Sequence, residues 1–371
     1  MSAQQDAAAA PQPAEPVSIR CRIDDGFLAW FARSPICLAV TTYQGGKLMF
    51  VGWNGSQVSL HARSFRRAMG LDLKDGQLVV ASRTMIHWFA DADLLTGDYR
   101  PDRSPRYDAL YLHRSDDATG DIFAHDIALG NDRLYVVNTR FSCLCTPSRR
   151  YSFEPLWQPP FITELAPEDR CHLNGLALRD GLPYAVTALG VSDTPRGWRP
   201  GKAEGGIVMT VADGEILAQG LSMPHSPRWH GGALWVLDSG RGRLLRIDPA
   251  AATVTEVAAL PGYLRGLSFC GEVAIVGLCK IREKRVFGGL PIETGTAEPV
   301  CGLALVDTRT GALIGLFEFT AGVEEIYDIR VMPAGILQPD LLDAEPEMEA
   351  EAFTAPEFAY WIGAPAAESS G

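Results

Sequence analysis

No apolar run in the chain approaches the ~20 residues that cross a bilayer. No cluster of Lys and Arg offers the counterion release on which duplex binding depends. Acidic residues outnumber basic ones, 45 to 33, for a net charge of −12. Nucleic acid and anionic membrane are therefore not expected partners. The opening MSAQQDAAAAPQPAEPVS lacks the basic start and apolar stretch of a secretory signal, and residues 1–20 read as a disordered leader. The eight cysteines form no Cys-x-x-Cys pair and no zinc-ribbon spacing; Cys143 and Cys145, the nearest two, would project the same way from a strand. Reduced, buried thiols and a cytoplasmic location are expected. Catalytic signatures are equally scarce. There is no nucleophile elbow, P-loop, GxGxxG or HExxH motif. Ser226 adjoins His225, but neighbours on a strand point to opposite faces and form no dyad by adjacency.

What the sequence does have is a repeat. MGLDLKDGQLVVAS begins at Met69, HDIALGNDRLYVVNT at His125, NGLALRDGLPYAVTA at Asn174 and HSPRWHGGALWVLDS at His225, with LRGLSFCGEVAIVG following at Leu264. Each is a strand, a tight polar or Gly-containing turn and a second strand; Asp-Gly between apolar runs is a strong hairpin signal. A second hairpin type follows several of them, starting at Gly205, Gly242 and Cys301. Four short strands recurring every few tens of residues predict an all-β fold, a β-propeller. The stretch 36–42 has no first strand before it, and Tyr327–Gly335 is a first strand with no partner after it. Pairing them closes a ring of six blades and removes the sheet edges; seven blades would need a further partner strand. The propeller is expected over 21–336, and an acidic C-terminal tail, partly disordered or laid on the rim, over 337–371.

With strands lettered a to d outward from the axis, the a–b and c–d turns are short. The insertions fall at 98–124 and 163–173, read as d–a connections, and at 191–205 and 282–300, read as b–c connections. All four would gather on one face, where a rigid scaffold carries its binding loops. The same face receives the a-strand starts. There His125, Asn174 and His225 occupy equivalent positions in three successive blades, with His172 two residues before Asn174. Equivalent b-strand ends are Ser82, Asn138, Thr187 and Asp238; Arg83, Arg140 and Arg241 lie just beyond them, and Arg265, Glu325 and Asp328 at the last a-strand starts.

Converging imidazoles suit Zn, Fe, Mn or Cu, while Asn, Asp and Glu oxygens suit calcium, so a divalent ion of open identity is expected on His125, His172, Asn174 and His225. The plainer alternative is a polar channel filled with ordered water. A guanidinium beside the axis needs an anion, from a ligand or from Asp238, Glu325 or Asp328. Trp157, Trp198 and Trp229 either wall a pocket or pack inside blades.

The grammar of the repeat resembles the six-bladed gluconolactonase/regucalcin group, whose metal-binding Asn in an Asn-Gly strand start would correspond to Asn174. That resemblance implies a metal-dependent lactonase. TTYQGGKL, HDIA, CHLNGLA, MPHSPRWH and LWVLDSGRG resemble more closely the motifs of a bacterial propeller family known only as a domain of unknown function. The expectation is a metal-assisted enzyme acting on a small anionic molecule or peptide. His125, His172, His225 and Arg265 would be catalytic, with Arg83, Asn138, Arg140, Asp238 and Tyr327 contacting the substrate. A non-catalytic ligand- or peptide-binding propeller is the alternative.

Overall fold

The computed structural model describes residues 18–100, 102–104, 106–280, 288–294, 298–342 and 351–362. Local turn chemistry starts the fold. Asp75-Gly76, Asp180-Gly181 and Gly231-Gly232 all take positive φ at both positions, the mirror-image turn whose twist matches its strands. These turns place Lys74 opposite Gln77, Arg179 opposite Leu182 and His230 opposite Ala233.

Six antiparallel sheets result, arranged as the blades of a propeller. In a-to-d order the first blade is Asp328–Val331, Leu38–Thr42, Lys47–Trp53 and Val58–Ser64. The second is Leu71–Lys74, Gln77–Ala81, Met85–Asp91 and Ala109–Ala118. The third begins at Ala124, the fourth at Leu173, the fifth at Pro224 and the sixth at Tyr263. Closure is the one the sequence predicts, with Leu38 opposite Val331 and Thr41 opposite Asp328. Apolar faces of successive blades meet in separate clusters, for example Val137, Leu144, Leu176 and Val186 between the third and fourth. Burying each such side chain contributes roughly 1.5–3 kcal/mol.

Both chain ends reinforce outer edges. Arg20–Ile23 adds a fifth strand to the sixth blade, so Arg20, the last residue of the expected leader, is already in a sheet. Pro339–Leu342 adds a parallel fifth strand to the second blade, a correction to the tail expected from 337. A helix over Asp25–Arg33, not anticipated from the sequence, is capped by the Asp24 carboxylate on the Phe27 N–H at 2.8 Å and packs Phe27 on Phe317. Residues 1–17 of the expected leader and most of the acidic stretch lie outside the described residues.

One insertion needs correction. Ala109–Ala118 is the d strand of the second blade, so the extra residues before it form a c–d connection on the opposite face. The other three insertions are flanked by the strands expected, whose ends point to the predicted mouth.

Further along the inner strands a charged knot fills the axis. Asp72, Asp126 and Asp328 each accept the N–H of the next blade's inner strand, from Leu129, Leu176 and Leu71. Arg228 bridges Asp126 at 2.8 Å and Asp328 at 3.1 Å, and Arg330 bridges Asp328 at 2.7 Å and Asp72 at 2.9 Å. Asp126, not its neighbour His125, is thus the axial residue of HDIA, because adjacent strand residues diverge.

Candidate functional site

A cavity of about 300 Å³ opens at the mouth face. The d–a loop before Leu173 supplies Glu168, Asp169 and His172, the b–c insertion supplies Arg196, Trp198 and Arg199, and the a-strand starts supply His125, His225 and Arg265. Five lining residues, Phe123, Asp169, His172, Arg196 and Met223, hold positive φ without being glycine. Each costs of order 1 kcal/mol or more, and such strain concentrates where a side chain must be aimed. Phe123, His172 and Met223 each stand two residues before the equivalent positions His125, Asn174 and His225, so this kink belongs to the repeat.

Hydrogen-bond direction settles the imidazoles' tautomers. Arg265 has only donors, and its Nη2 lies 2.6 Å from His125 Nε2, which therefore accepts. His125 Nδ1 then carries the proton and donates to Thr139 Oγ1 at 3.1 Å, and that hydroxyl donates to Leu173 O. His225 Nδ1 donates to Met223 O at 2.9 Å. Burial first, and the Arg265 cation second, hold both rings well below the ordinary imidazole value, so both are neutral. Arg265 also donates to Glu325 Oε1 at 3.0 Å and stacks 3.7 Å over the Tyr327 ring.

His172 differs. Its Nδ1 lies 2.8 Å from Asp169 Oδ1, and the other oxygen of Asp169 accepts the Trp198 indole N–H at 3.1 Å. The carboxylate fixes the Nδ1–H tautomer, leaving Nε2 as the lone-pair nitrogen with no partner among the described residues. The ring stands 5.0 Å from that of His125 and 4.5 Å from that of Trp198, centroid to centroid.

The structure therefore gathers His125, His172, His225, Arg140, Arg265 and Tyr327 around one cavity. It does not bring in the rest. Asn174 spends its amide on Pro224 O and its carbonyl on the Thr187 hydroxyl, tying two blades together. Its neighbour must be glycine, since a Cβ on Gly175 would lie 2.3 Å from Pro227 Cδ. Asn138 accepts the Phe141 N–H and shapes a turn. Asp238 is buried among Arg241, Arg243 and the Ser222 N–H. Arg83 pairs with Asp121 at 3.1 Å, in a neighbouring depression; Arg140 holds the other side of the same carboxylate. Asp169 and Thr139 were missed by sequence reasoning. Asp169 had a readable signal, an acid three residues before His172. Of the tryptophans, Trp198 walls the cavity, while Trp229 packs on Tyr184.

These residues do not fit the expected divalent ion. Asn174 is committed to its neighbours, and a guanidinium occupies His125 Nε2. Among the described residues only His87, His113 and Asp116 bring three ligating atoms within 4.8 Å of one another.

Residues 25–342 match the family described as "Domain of unknown function (DUF4915)". The chain belongs to that family. The match spans the helix, all six blades and the added strand of the second blade, so the DUF4915 domain is the whole propeller. No curated protein matches the sequence. Among solved structures, a chain in "Crystal structure of Nidogen/Laminin Complex" is similar at a TM-score of 0.50 and 13% identity, covering 82% of this chain and 99% of that one. A protein of unknown function from Bacteroides caccae is similar at 0.46 and 10% identity, over 81% of this chain and 99% of its own. The first supports the propeller fold of the DUF4915 domain and nothing about its chemistry. No helix among the described residues is long and apolar enough to cross a membrane.

Proposed function

We propose that the channel mouth is the active site of an enzyme acting on a small anionic molecule, with His172 as its general acid–base group. The observation that carries this reading is the Asp169–His172 pair, both residues in strained backbone, with one imidazole nitrogen left toward the cavity. An orienting carboxylate behind a histidine fixes its tautomer and stabilises the imidazolium once a proton has moved. No serine, threonine or cysteine hydrogen-bonds His172 among the described residues, so the base would act on water or directly on the substrate. Arg265, beside it in a buried site, would stabilise negative charge as it develops.

Charge supports an anionic substrate. Glu168 is spent on Arg170 and Glu325 on Arg265, while exposed Arg196 and Arg199 at the rim make no ion pair among the described residues and outnumber the one carboxylate, Asp169, that faces a neutral ring. The volume, at the lower end of small-molecule pockets, favours a small molecule over a peptide. The eight cysteines, all thiols and six of them buried, support a reducing, cytoplasmic setting.

The test is a thermal-shift screen of the full chain with small carboxylates and phosphate esters, followed by NMR of each hit with wild type and His172→Gln. Anions should stabilise both proteins, and only wild type should convert one. Binding with no conversion by wild type would leave a recognition module. Conversion undiminished in His172→Gln would refute the assigned base.

A further inference from the structure

We propose a second site, for a divalent transition metal of the Zn²⁺ class, on the outer half of the second blade, with His87, His113 and Asp116 as ligands. It is independent of the channel mouth.

His87 lies on the c strand directly opposite Asp116 on the d strand. His113 is three residues before Asp116, a spacing that on a regular strand would put the two on opposite faces. The register shifts between Trp88 and Phe89, so that Trp88 pairs with Ser115 and Phe89 with His113, and Arg114 is left unpaired. This bulge turns His113 to the face of His87 and Asp116, a re-aiming that bulges commonly perform.

Three atoms converge there. Asp116 Oδ1 is 2.7 Å from His87 Nδ1 and 2.8 Å from His113 Nε2. The Ser82 hydroxyl, 2.9 Å from His87 Nε2, holds the outer nitrogen of that ring while Nδ1 faces the carboxylate. A cation replacing the protons shared with Asp116 would meet one carboxylate oxygen and two imidazole nitrogens, with the Nε2–H of His87 then donated to Ser82.

The donor set fits the metal. Two imidazoles and a carboxylate are a common three-ligand set for zinc with an open fourth position. Bond lengths near 2.0–2.1 Å in a tetrahedron separate ligand atoms by roughly 3.3 Å, an opening of about half an ångström from the present contacts. Ser82 is the outer partner that ligating histidines require. The open position faces a depression of about 500 Å³ lined by Arg66, Arg83 and Asp121, room for water or an anion's oxygen.

The test uses the full chain, freed of any affinity tag, titrated with Zn²⁺ against a chromophoric chelator and with Co²⁺ by visible absorption. One equivalent of either metal should bind, Co²⁺ with the intense bands of a four-coordinate site. His113→Ala and Asp116→Asn should each weaken binding by at least the roughly 10–100-fold that loss of an outer-shell partner costs. Asp116 is exposed, so its variant should fold even if the other does not. His172→Ala should bind metal as wild type does. Absence of one-equivalent binding, binding that survives both variants, or binding lost only with His172→Ala would each overturn the assignment.

Discussion

Replacing Asp340 by Ala should be one of the costliest single changes outside the inner strands. Asp340 lies on Pro339–Leu342, hydrogen-bonded to the second blade, yet its fully buried carboxylate reaches the outermost strand of the first. It accepts from His61 Nε2 at 2.6 Å, Arg63 Nε at 2.9 Å and Nη2 at 2.7 Å, and the Tyr99 hydroxyl at 2.9 Å. The Ala variant would remove the carboxylate that the Arg63 guanidinium, 14% exposed, binds through both Nε and Nη2. Breaking one partner from a buried pair costs about 3–5 kcal/mol. Unfolding entropy for the 318 residues from 25 to 342 is roughly 0.7 kcal/mol/K, so Tm should fall by about 4–7 °C. Calorimetry measures this, with guanidinium titration followed by tryptophan fluorescence where heating is irreversible. Burial alone would raise the Asp340 pKa, but His61 and Arg63 outweigh it and hold the group well below the carboxylate range. A depressed pKa stabilises above the unfolded value, near 4, and that contribution is lost only as pH falls through the folded one. The deficit of the variant should therefore persist from about pH 7 to 9 and close only in strong acid. A shift under 2 °C at pH 8 would refute this account of how the strand Pro339–Leu342 is locked.

Three further outcomes follow from the same geometry. Deleting the chain from Glu325 removes the closing strand and exposes two sheet edges, so aggregated or unfolded protein is expected, whereas deleting 353–371 should be milder by light scattering and circular dichroism. Gly175→Ala drives a methyl group against Pro227 Cδ and Thr187 Oγ1, and a loss of about 1–3 kcal/mol by denaturant titration is expected. His225→Ala removes a buried donor from Met223 O, costing about 1–3 kcal/mol with no change in bound metal by elemental analysis.

The local grammar of the chain was enough for the fold. Asp-Gly and Gly-Gly turns between alternating apolar runs act within a few residues, and they formed the hairpins expected. A first strand left over at Tyr327 and a first strand lacking before Ile36 required the ring to close where it does. The site was legible as a region, through its loops and strand starts, but not residue by residue. In strands of period two, one position decides between cavity and axis: His125 went to the first and Asp126 to the second. Asn174 turned to the next blade because Gly175 lets Pro227 approach. The bulge joining His113 to Asp116, and the left-handed turns that aim Asp169 and His172, were decided only by tertiary packing. The bulge leaves no mark in spacing, since it breaks the periodicity by which a strand is read, whereas the kink at His172 recurs two residues before each equivalent position.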